Sequence, residues 1–91
     1  RQGERPAPER AGIIELLSYI DDERATRAVI SRLEDADPAV RMAAGGALVD
    51  LAGPAAVTAL AKAAVREEVP VVRQMLAAAL RQARARLAEQ P

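Results

Sequence analysis

The segment from Asp37 to Pro54 (DPAVRMAAGGALVDLAGP) combines the start, the apolar face and the end of one helix. Aspartate caps free backbone amides, and Pro38 suits the first helical position, where no amide donor is needed. Gly53 is typical of a helix end, and Pro54 of the start of the next helix. Apolar residues recur at the spacing of one helical face, and they are Val40, Ala44, Ala47, Leu48 and Leu51. The segment predicts a helix that buries one side and is followed at once by another.

The composition favours an all-α fold. Hydrophobic residues make up 51% of the chain, yet Tyr19 is the only aromatic residue and much of the remainder is alanine. Alanine favours closely packed helices, whereas strands are rich in β-branched and aromatic residues. A chain of 91 residues has the size of one small domain.

Helix breakers and capping residues divide the chain into five predicted helices. Their predicted ranges are 9–20, 23–34, 38–52, 54–66 and 70–88. Either Asp21 or Asp22 is expected to cap the second helix. Because the connections are only a few residues long, sequential helices should be antiparallel neighbours. We expect one repeat domain over 9–88, a disordered or linker tail at 1–8 and a short tail at 89–91.

The other four helices also have an apolar face that should point into a core. In the first two helices these residues are Ile13, Leu16, Leu17 and Ile20, followed by Val29, Ile30 and Leu33. In the last two they are Val57, Leu60, Ala61 and Ala64, followed by Val72, Leu76, Ala79, Leu80 and Ala83.

The pattern repeats with a period of 31 or 32 residues. Arg41 and Arg73 end the similar motifs DPAVR and VPVVR, 32 positions apart. A shift of 31 aligns Arg10 with Arg41 and Leu17 with Leu48. Periods of this length are typical of helical repeat proteins, whose units bury their apolar faces by stacking.

The central motif, DPxVRxAAxxALxxLxG over 37–53, resembles the HEAT-like repeat of the phycobilisome-lyase type. The resemblance extends over about 9–88, as one B helix followed by two A–B pairs. It implies a right-handed superhelix of antiparallel helix pairs, with the B helices (the first, third and fifth) on the concave side.

The resemblance also implies a polar ladder between neighbouring repeats. Asp37 would pair with Arg73, and Arg41 would pair with the turn before it or with Asp22. In the alternative interpretation, Asp37 is only a helix cap and the arginines are solvated. In either case the role is structural, because exposed ion pairs contribute roughly 0–1 kcal/mol each.

The residue types that catalysis and metal binding usually require are scarce. The chain contains no cysteine and no histidine, so a conventional nucleophile–base pair cannot be assembled. Paired carboxylates at 21–22, 35/37 and 67–68 precede predicted helix starts, where capping accounts for them. Gly45 and Gly46 lie within a predicted helix rather than in a phosphate-binding loop. We predict a non-enzymatic protein without a cofactor or a metal.

The sequence has no apolar run long enough to span a bilayer and no visible signal peptide. We therefore expect a cytoplasmic protein that does not bind membranes. The chain begins with Arg1 rather than methionine, and we interpret it as an excised or processed segment.

The charge distribution leaves a second type of partner open. The 13 basic and 13 acidic residues sum to zero, but four arginines lie in the last predicted helix, at 73, 81, 84 and 86. These cations either stabilise the end of the helix or bind an acidic partner such as a phosphate backbone. Nucleic acid is the disfavoured partner, because the chain lacks the aromatic side chains on which bases stack.

The surface opposite the core on each predicted B helix is the candidate binding site. A solvated helix face would carry lysine and glutamate, whereas these positions are mostly small or apolar in the middle helix. The candidate partner-binding residues are Ile14, Glu15, Met42, Gly45, Gly46, Val49, Gln74 and Arg81. Glycine inside a helix costs about 1 kcal/mol relative to alanine, which suggests close backbone approach at the Gly45–Gly46 pair.

These features predict a protein–protein interaction scaffold that binds a partner helix, a peptide or a second copy on its concave B-helix face. Two alternatives are a structural segment or regulatory arm of a larger HEAT-repeat protein, whose apolar face packs on other parts of that protein, and a nucleic-acid-binding domain that uses the C-terminal arginines.

Overall fold

The computed structural model describes residues 5–51 and 53–90, and within these ranges it contains only helices, turns and bends. The helices are α1 (Ala7–Leu17), α2 (Glu23–Ser31), α3 (Pro38–Leu51), α4 (Pro54–Arg66) and α5 (Pro70–Glu89). A single 3-10 turn, Arg32–Glu34, extends α2. The predicted all-α fold of about five helices is confirmed.

The predicted helix boundaries differ most at α1. This helix begins at Ala7 with Pro8 in its first turn and ends at Leu17, not at Ile20. Proline is tolerated in the first turn because the first amides have no acceptor within the helix. The second predicted helix tightens into the 3-10 turn at Arg32 rather than remaining α-helical. Predictions for residues 1–4, 52 and 91 lie outside the described residues.

Three predicted helix-boundary features are confirmed. Asp22 Oδ1 accepts the backbone amide of Arg24 at 2.7 Å at the start of α2. Asp37 Oδ1 accepts the amide of Ala39 at 2.8 Å at the start of α3. Gly53 has a φ of 101°, a left-handed conformation that favours glycine, and it separates α3 from α4.

The helices form two layers. In one layer α3 contacts α1 on one side and α5 on the other, and in the second layer α2 contacts α4. The described molecule is elongated and thin, with principal extents of 45 × 29 × 15 Å. This alternation of helices between two layers is the solenoid-like arrangement that the 31–32-residue period predicts.

The core lies between the layers and follows the repeat. The predicted faces of α3 and α5 are confirmed at most positions, including Val40, Ala44, Ala47 and Leu48, and Val72, Leu76, Ala79 and Ala83. Val29, Leu33 and Leu60 are also buried as predicted. In α4 the buried neighbours of Leu60 are Ala56 and Ala63, whereas the predicted Val57, Ala61 and Ala64 are only half-buried.

The predicted core face of α1 is wrong at three of its four positions. Ile14 is fully buried, whereas Ile13, Leu16 and Ile20 are exposed and Leu17 is half-buried. Among the described residues, α1 contacts α2 and α3, and no earlier helix covers its other side. Ile14 therefore packs into the core and Leu17 packs against its edge, while the predicted core residues Ile13, Leu16 and Ile20 remain on the surface.

Candidate interaction surface

Two buried ion pairs join successive repeats. Arg10 extends from α1 to Asp35 in the turn before α3, with Nε–Oδ2 and Nη2–Oδ1 distances of 2.9 Å each. Arg41 extends from α3 to Glu67 in the turn before α5, with corresponding distances of 2.8 and 2.9 Å. Only 1% of the Asp35 side chain and 5% of the Glu67 side chain are exposed. Each bridge is bidentate, the strongest arrangement of an arginine with a carboxylate.

The turn backbone completes both bridges. Asp35 Oδ1 accepts the amide of Asp37 at 2.9 Å, and Glu67 Oε2 accepts the amide of Val69 at 3.1 Å. Arg41 Nη1 donates to the carbonyl of Asp35 at 2.9 Å. Because arginine and backbone amides stabilise the charged form, the pKa values of Asp35 and Glu67 lie below their ordinary range. The bridges account for both buried carboxylates structurally.

The ladder predicted from the sequence has the wrong carboxylates. Asp37 caps α3 instead of pairing with Arg73, and Asp22 pairs with Arg24 rather than with Arg41. The contact of Arg41 with the turn before it is confirmed, through backbone carbonyls. The spacing of 32 between positions 35 and 67 matches the repeat and is the signal that could have identified the true partners.

Arg73 occupies the next ladder position but makes a different contact. Its Nη1 donates to the carbonyl of Glu67 at 3.1 Å, as Arg41 does one repeat earlier. Among residues 5–51 and 53–90, no carboxylate forms an ion pair with its guanidinium. The ladder therefore has two complete rungs in the described chain.

The B helices α1, α3 and α5 carry two adjacent grooves, which we call the B face. The α1–α3 groove has a volume of about 460 Å³ and is lined by Ala11, Gly12, Glu15, Ser18, Ala43, Gly46 and Asp50, among others. The α3–α5 groove has a volume of about 290 Å³ and is lined by Met42, Gly46, Val49, Asp50, Met75, Ala78, Ala79 and Gln82. Gly46 and Asp50 line both grooves, so the two are continuous across α3.

The B face contains four of the eight predicted binding residues: Glu15, Met42, Gly46 and Val49. Two others were assigned wrongly, because Ile14 and Gly45 are buried in the core. Gln74 and Arg81 are exposed on α5, but the residues that line the groove there are Met75, Ala78, Ala79 and Gln82. On α5 the residues that line the groove, such as Met75 and Gln82, thus lie one position later in the sequence than the predicted Gln74 and Arg81.

The two adjacent glycines of α3 have different surroundings. A Cβ added to Gly45 would lie 2.7 Å from Leu76 Cδ2, so this glycine allows α5 to approach α3 closely. A Cβ added to Gly46 would have no atom within 4 Å. Internal packing therefore explains the glycine at position 45 but not the one at 46.

The other candidate functional groups from the sequence are the acidic side chains and the arginines of α5. No group of three or more acidic side chains in the described part of the chain is placed to hold a metal ion. Of the four arginines in α5, Arg86 lies 3.5 Å from Asp50 and Arg73 donates to the turn before α5. No described helix combines the length and the apolar character that crossing a bilayer requires.

The alternating layers and the repeated bridges define an α-helical repeat protein. The family model for HEAT repeats matches residues 3–81, and the chain belongs to this family. No curated protein and no solved structure matches the chain. HEAT repeats commonly serve as protein-interaction scaffolds and are generally not catalytic. The phycobilisome-lyase subtype stays a prediction.

Proposed function

We propose that the chain is a non-enzymatic scaffold whose B face binds a helix or peptide of a partner protein. Gly46 is the observation that carries this proposal. It lies at the junction of the two grooves, and open space surrounds the position of its absent side chain. A glycine there costs about 1 kcal/mol of helix stability, which close approach of a partner's backbone would offset.

Apolar side chains beside this glycine would supply the binding energy. Met42 and Val49 are half-buried in the α3–α5 groove, and Met75 is exposed at its edge. Methionine is flexible and polarizable, so it adapts to partner side chains of different shape. The small residues Ala43 and Ala78 keep the grooves shallow. Such a surface suits the apolar face of an amphipathic helix.

Acidic side chains at the grooves would orient the partner. Glu15 lines the α1–α3 groove, and Asp50 lines both grooves. The contact between Asp50 and Arg86 is exposed and 3.5 Å long, and such surface pairs are weak. A lysine or arginine of the partner could therefore replace Arg86. We accordingly favour a partner helix with apolar residues on one face and a cation at its edge.

The proposal can be tested by selecting amphipathic helical peptides from a displayed library against the chain. Substituting Gly46→Arg should abolish binding of the selected peptides without unfolding the chain, because the new side chain enters open space and arginine is a good helix former. The matched control is Thr58→Arg, an exposed position on α4, which should leave binding unchanged.

Chemical-shift mapping then locates the peptide. Shifts concentrated at Gly46, Met42, Val49 and Met75 would support the proposal. If no peptide is enriched, or if the selected peptides bind the Gly46→Arg variant equally well, the B face is not the binding surface.

A further inference from the structure

Helix α5 carries three arginines that neither the complete rungs of the ladder nor the B face uses. Arg73, Arg81 and Arg84 are exposed, and none of them lines a B-face groove. At about 100° per residue Arg73 and Arg84 share one side of the helix, and Arg81 lies on the adjoining flank. The sequence between 69 and 88 contains no acidic residue. We call these three residues the arginine row.

Arg73 is held in the same way as the arginine of a complete rung. Its Nη1 donates to the carbonyl of Glu67, six residues earlier, at 3.1 Å, and Arg41 Nη1 donates to the carbonyl of Asp35, also six residues earlier, at 2.9 Å. Arg41 then binds the Glu67 carboxylate through Nε and Nη2, at 2.8 and 2.9 Å. Among the residues that the structure describes, the same two atoms of Arg73 have no hydrogen-bond partner. Arg73 thus occupies a rung position that lacks only its carboxylate.

The helix dipole does not account for the arginine row. Arg73 lies in the first turn of α5, where the dipole favours anions rather than cations. Arg81 lies about two turns before the end of the helix, and the favourable effect of the dipole on cations is confined to the last turn. Arg81 and Arg84 are three residues apart and are therefore neighbours of like charge on the helix surface. An anionic ligand would relieve this repulsion.

A purely apolar partner does not suit this side of α5. Val49 of α3 is half-buried and lines the groove against α5, and its equivalent 32 residues later is the exposed Arg81. A helix packed on α5 as α5 packs on α3 would cover that guanidinium. Covering a charge is costly unless the charge is paired. The partner must therefore supply carboxylates or phosphates.

Carboxylates fit the arginine row better than the phosphates of a nucleic acid. Both groups bind a guanidinium through two parallel hydrogen bonds. The two complete rungs, however, show that this fold places its arginines for carboxylates. A net charge of zero provides no general attraction to a polyanion. The single aromatic residue, Tyr19, lies outside α5, so no base can stack on an aromatic side chain of this helix.

We propose that the arginine row binds an acidic segment of a partner protein, rich in aspartate or glutamate. One carboxylate pairs with Nε and Nη2 of Arg73, as Glu67 pairs with Arg41, and further carboxylates pair with Arg81 and Arg84. Arg73 and Arg84 are about 16 Å apart along the helix, a distance that about six residues of extended chain span. This site is separate from the B face, so either surface can fail its test without affecting the other.

An NMR titration of the chain with hexaglutamate at low ionic strength tests the proposal. The Nε–Hε signal of Arg73 should shift, together with those of Arg81 and Arg84. Arg73→Gln should weaken binding about tenfold, because it removes a charged bidentate contact. Arg73→Lys keeps the charge and should still weaken binding by at least about threefold, because an ammonium group cannot reproduce the two parallel hydrogen bonds.

A control variant and a second ligand separate this site from general charge attraction. Arg27→Gln removes the same charge from an exposed position on α2 and should leave the affinity within about twofold. Single-stranded hexathymidylate should bind more weakly than hexaglutamate. No shift at Arg73, unchanged affinity of Arg73→Lys, or equal weakening by Arg27→Gln would overturn the proposal, because binding would then depend on charge alone or lie elsewhere. Tighter binding of hexathymidylate would also overturn it and would identify phosphate as the ligand.

Discussion

Helices α1 and α3 carry equivalent positions of the repeat, but their surroundings differ. In the described chain α3 lies between α1 and α5, whereas α1 has a helix of its own layer on one side only. Leu16 and Ala47 are 31 residues apart and equivalent, yet Leu16 is exposed and Ala47 is buried. The repeat pattern therefore specifies a position within the repeat, and the place of that repeat in the stack decides whether the position is buried.

Side-chain size at equivalent positions also differs between α1 and α3. Ala47 is a buried residue of α3 that lines the groove between α1 and α3, and its small side chain permits close helix approach. At the equivalent position of α1 the residue is Leu16. A larger side chain at this position would hold a covering helix farther away, since interaxial distance depends on the side chains at the contact. Two equivalent helices thus present different surfaces.

The largest expected effect on the free energy of unfolding distinguishes Ala47 of α3 from its equivalent on α1, Leu16. Ala47→Glu should destabilise the fold by about 3 kcal/mol or more, because it places an unpaired charge in the core. Leu16→Glu should change stability by no more than about 0.5 kcal/mol. Urea denaturation followed by circular dichroism at low micromolar concentration measures both variants while limiting any contribution from association.

Similar losses in the two variants would contradict the comparison, because they would mean that a helix covers α1 in the folded chain as one covers α3. A small loss for Ala47→Glu would place that residue outside the core and would overturn the assigned order of the layers.

Much of the fold was predictable because it depends on local chemistry and on periodicity. The caps at Asp22 and Asp37 and the left-handed Gly53 require only neighbouring residues. The core faces of α3 and α5 were predictable because α3 follows the central repeat motif and α5 keeps its apolar spacing in a degraded copy. The error at Ile14 arose because burial in α1 depends on which neighbours exist, and sequence spacing does not specify them.

The candidate site was predicted only in part, for a related reason. Met42, Gly46 and Val49 were selected by helical spacing from the predicted core face, and all three line the α3–α5 groove, where Met42 and Val49 also pack against the edge of the core. Gly45 was misassigned because the reason for that glycine, Leu76, lies in another helix. The ladder carboxylates Asp35 and Glu67 were missed because they differ in residue type and lie outside the apolar motif. Contacts between distant segments of the chain were the part that local patterns did not reveal.

The second prediction compares the stability contribution of Glu67, which forms a complete rung of the ladder with Arg41, with that of Arg73 at the last ladder position. Glu67→Ala should destabilise the fold by about 3 kcal/mol, because it leaves the largely buried Arg41 without its carboxylate. Glu68→Ala, at the exposed neighbouring glutamate, is the matched control and should cost no more than about 0.5 kcal/mol. Arg73→Ala should cost about 1 kcal/mol at most, because this arginine is exposed.

The two buried carboxylates of the ladder also determine how stability should depend on pH. The pKa values of Asp35 and Glu67 are lower in the folded chain than in the unfolded chain. Their stabilisation is therefore fully present above about pH 5 and is lost as the pH falls through the lower folded-state values. Urea titrations between pH 6 and pH 2 should show a steep acid decline that is shallower in Glu67→Ala. An equally steep decline in that variant would mean that other carboxylates control acid stability.

The smallest expected effect distinguishes the two adjacent glycines of α3. Gly46→Ala should stabilise the chain by up to about 1 kcal/mol, because alanine is the better helix former and its Cβ enters open space. Gly45→Ala gains the same helix propensity but places a Cβ 2.7 Å from Leu76 Cδ2, and overpacking costs about 1–3 kcal/mol. Gly46→Ala should therefore be more stable than Gly45→Ala by at least about 1 kcal/mol in urea denaturation. Equal stabilities would mean that the buried Leu76 moves aside freely, and the glycine at 45 would then need an explanation other than the close packing of α3 on α5.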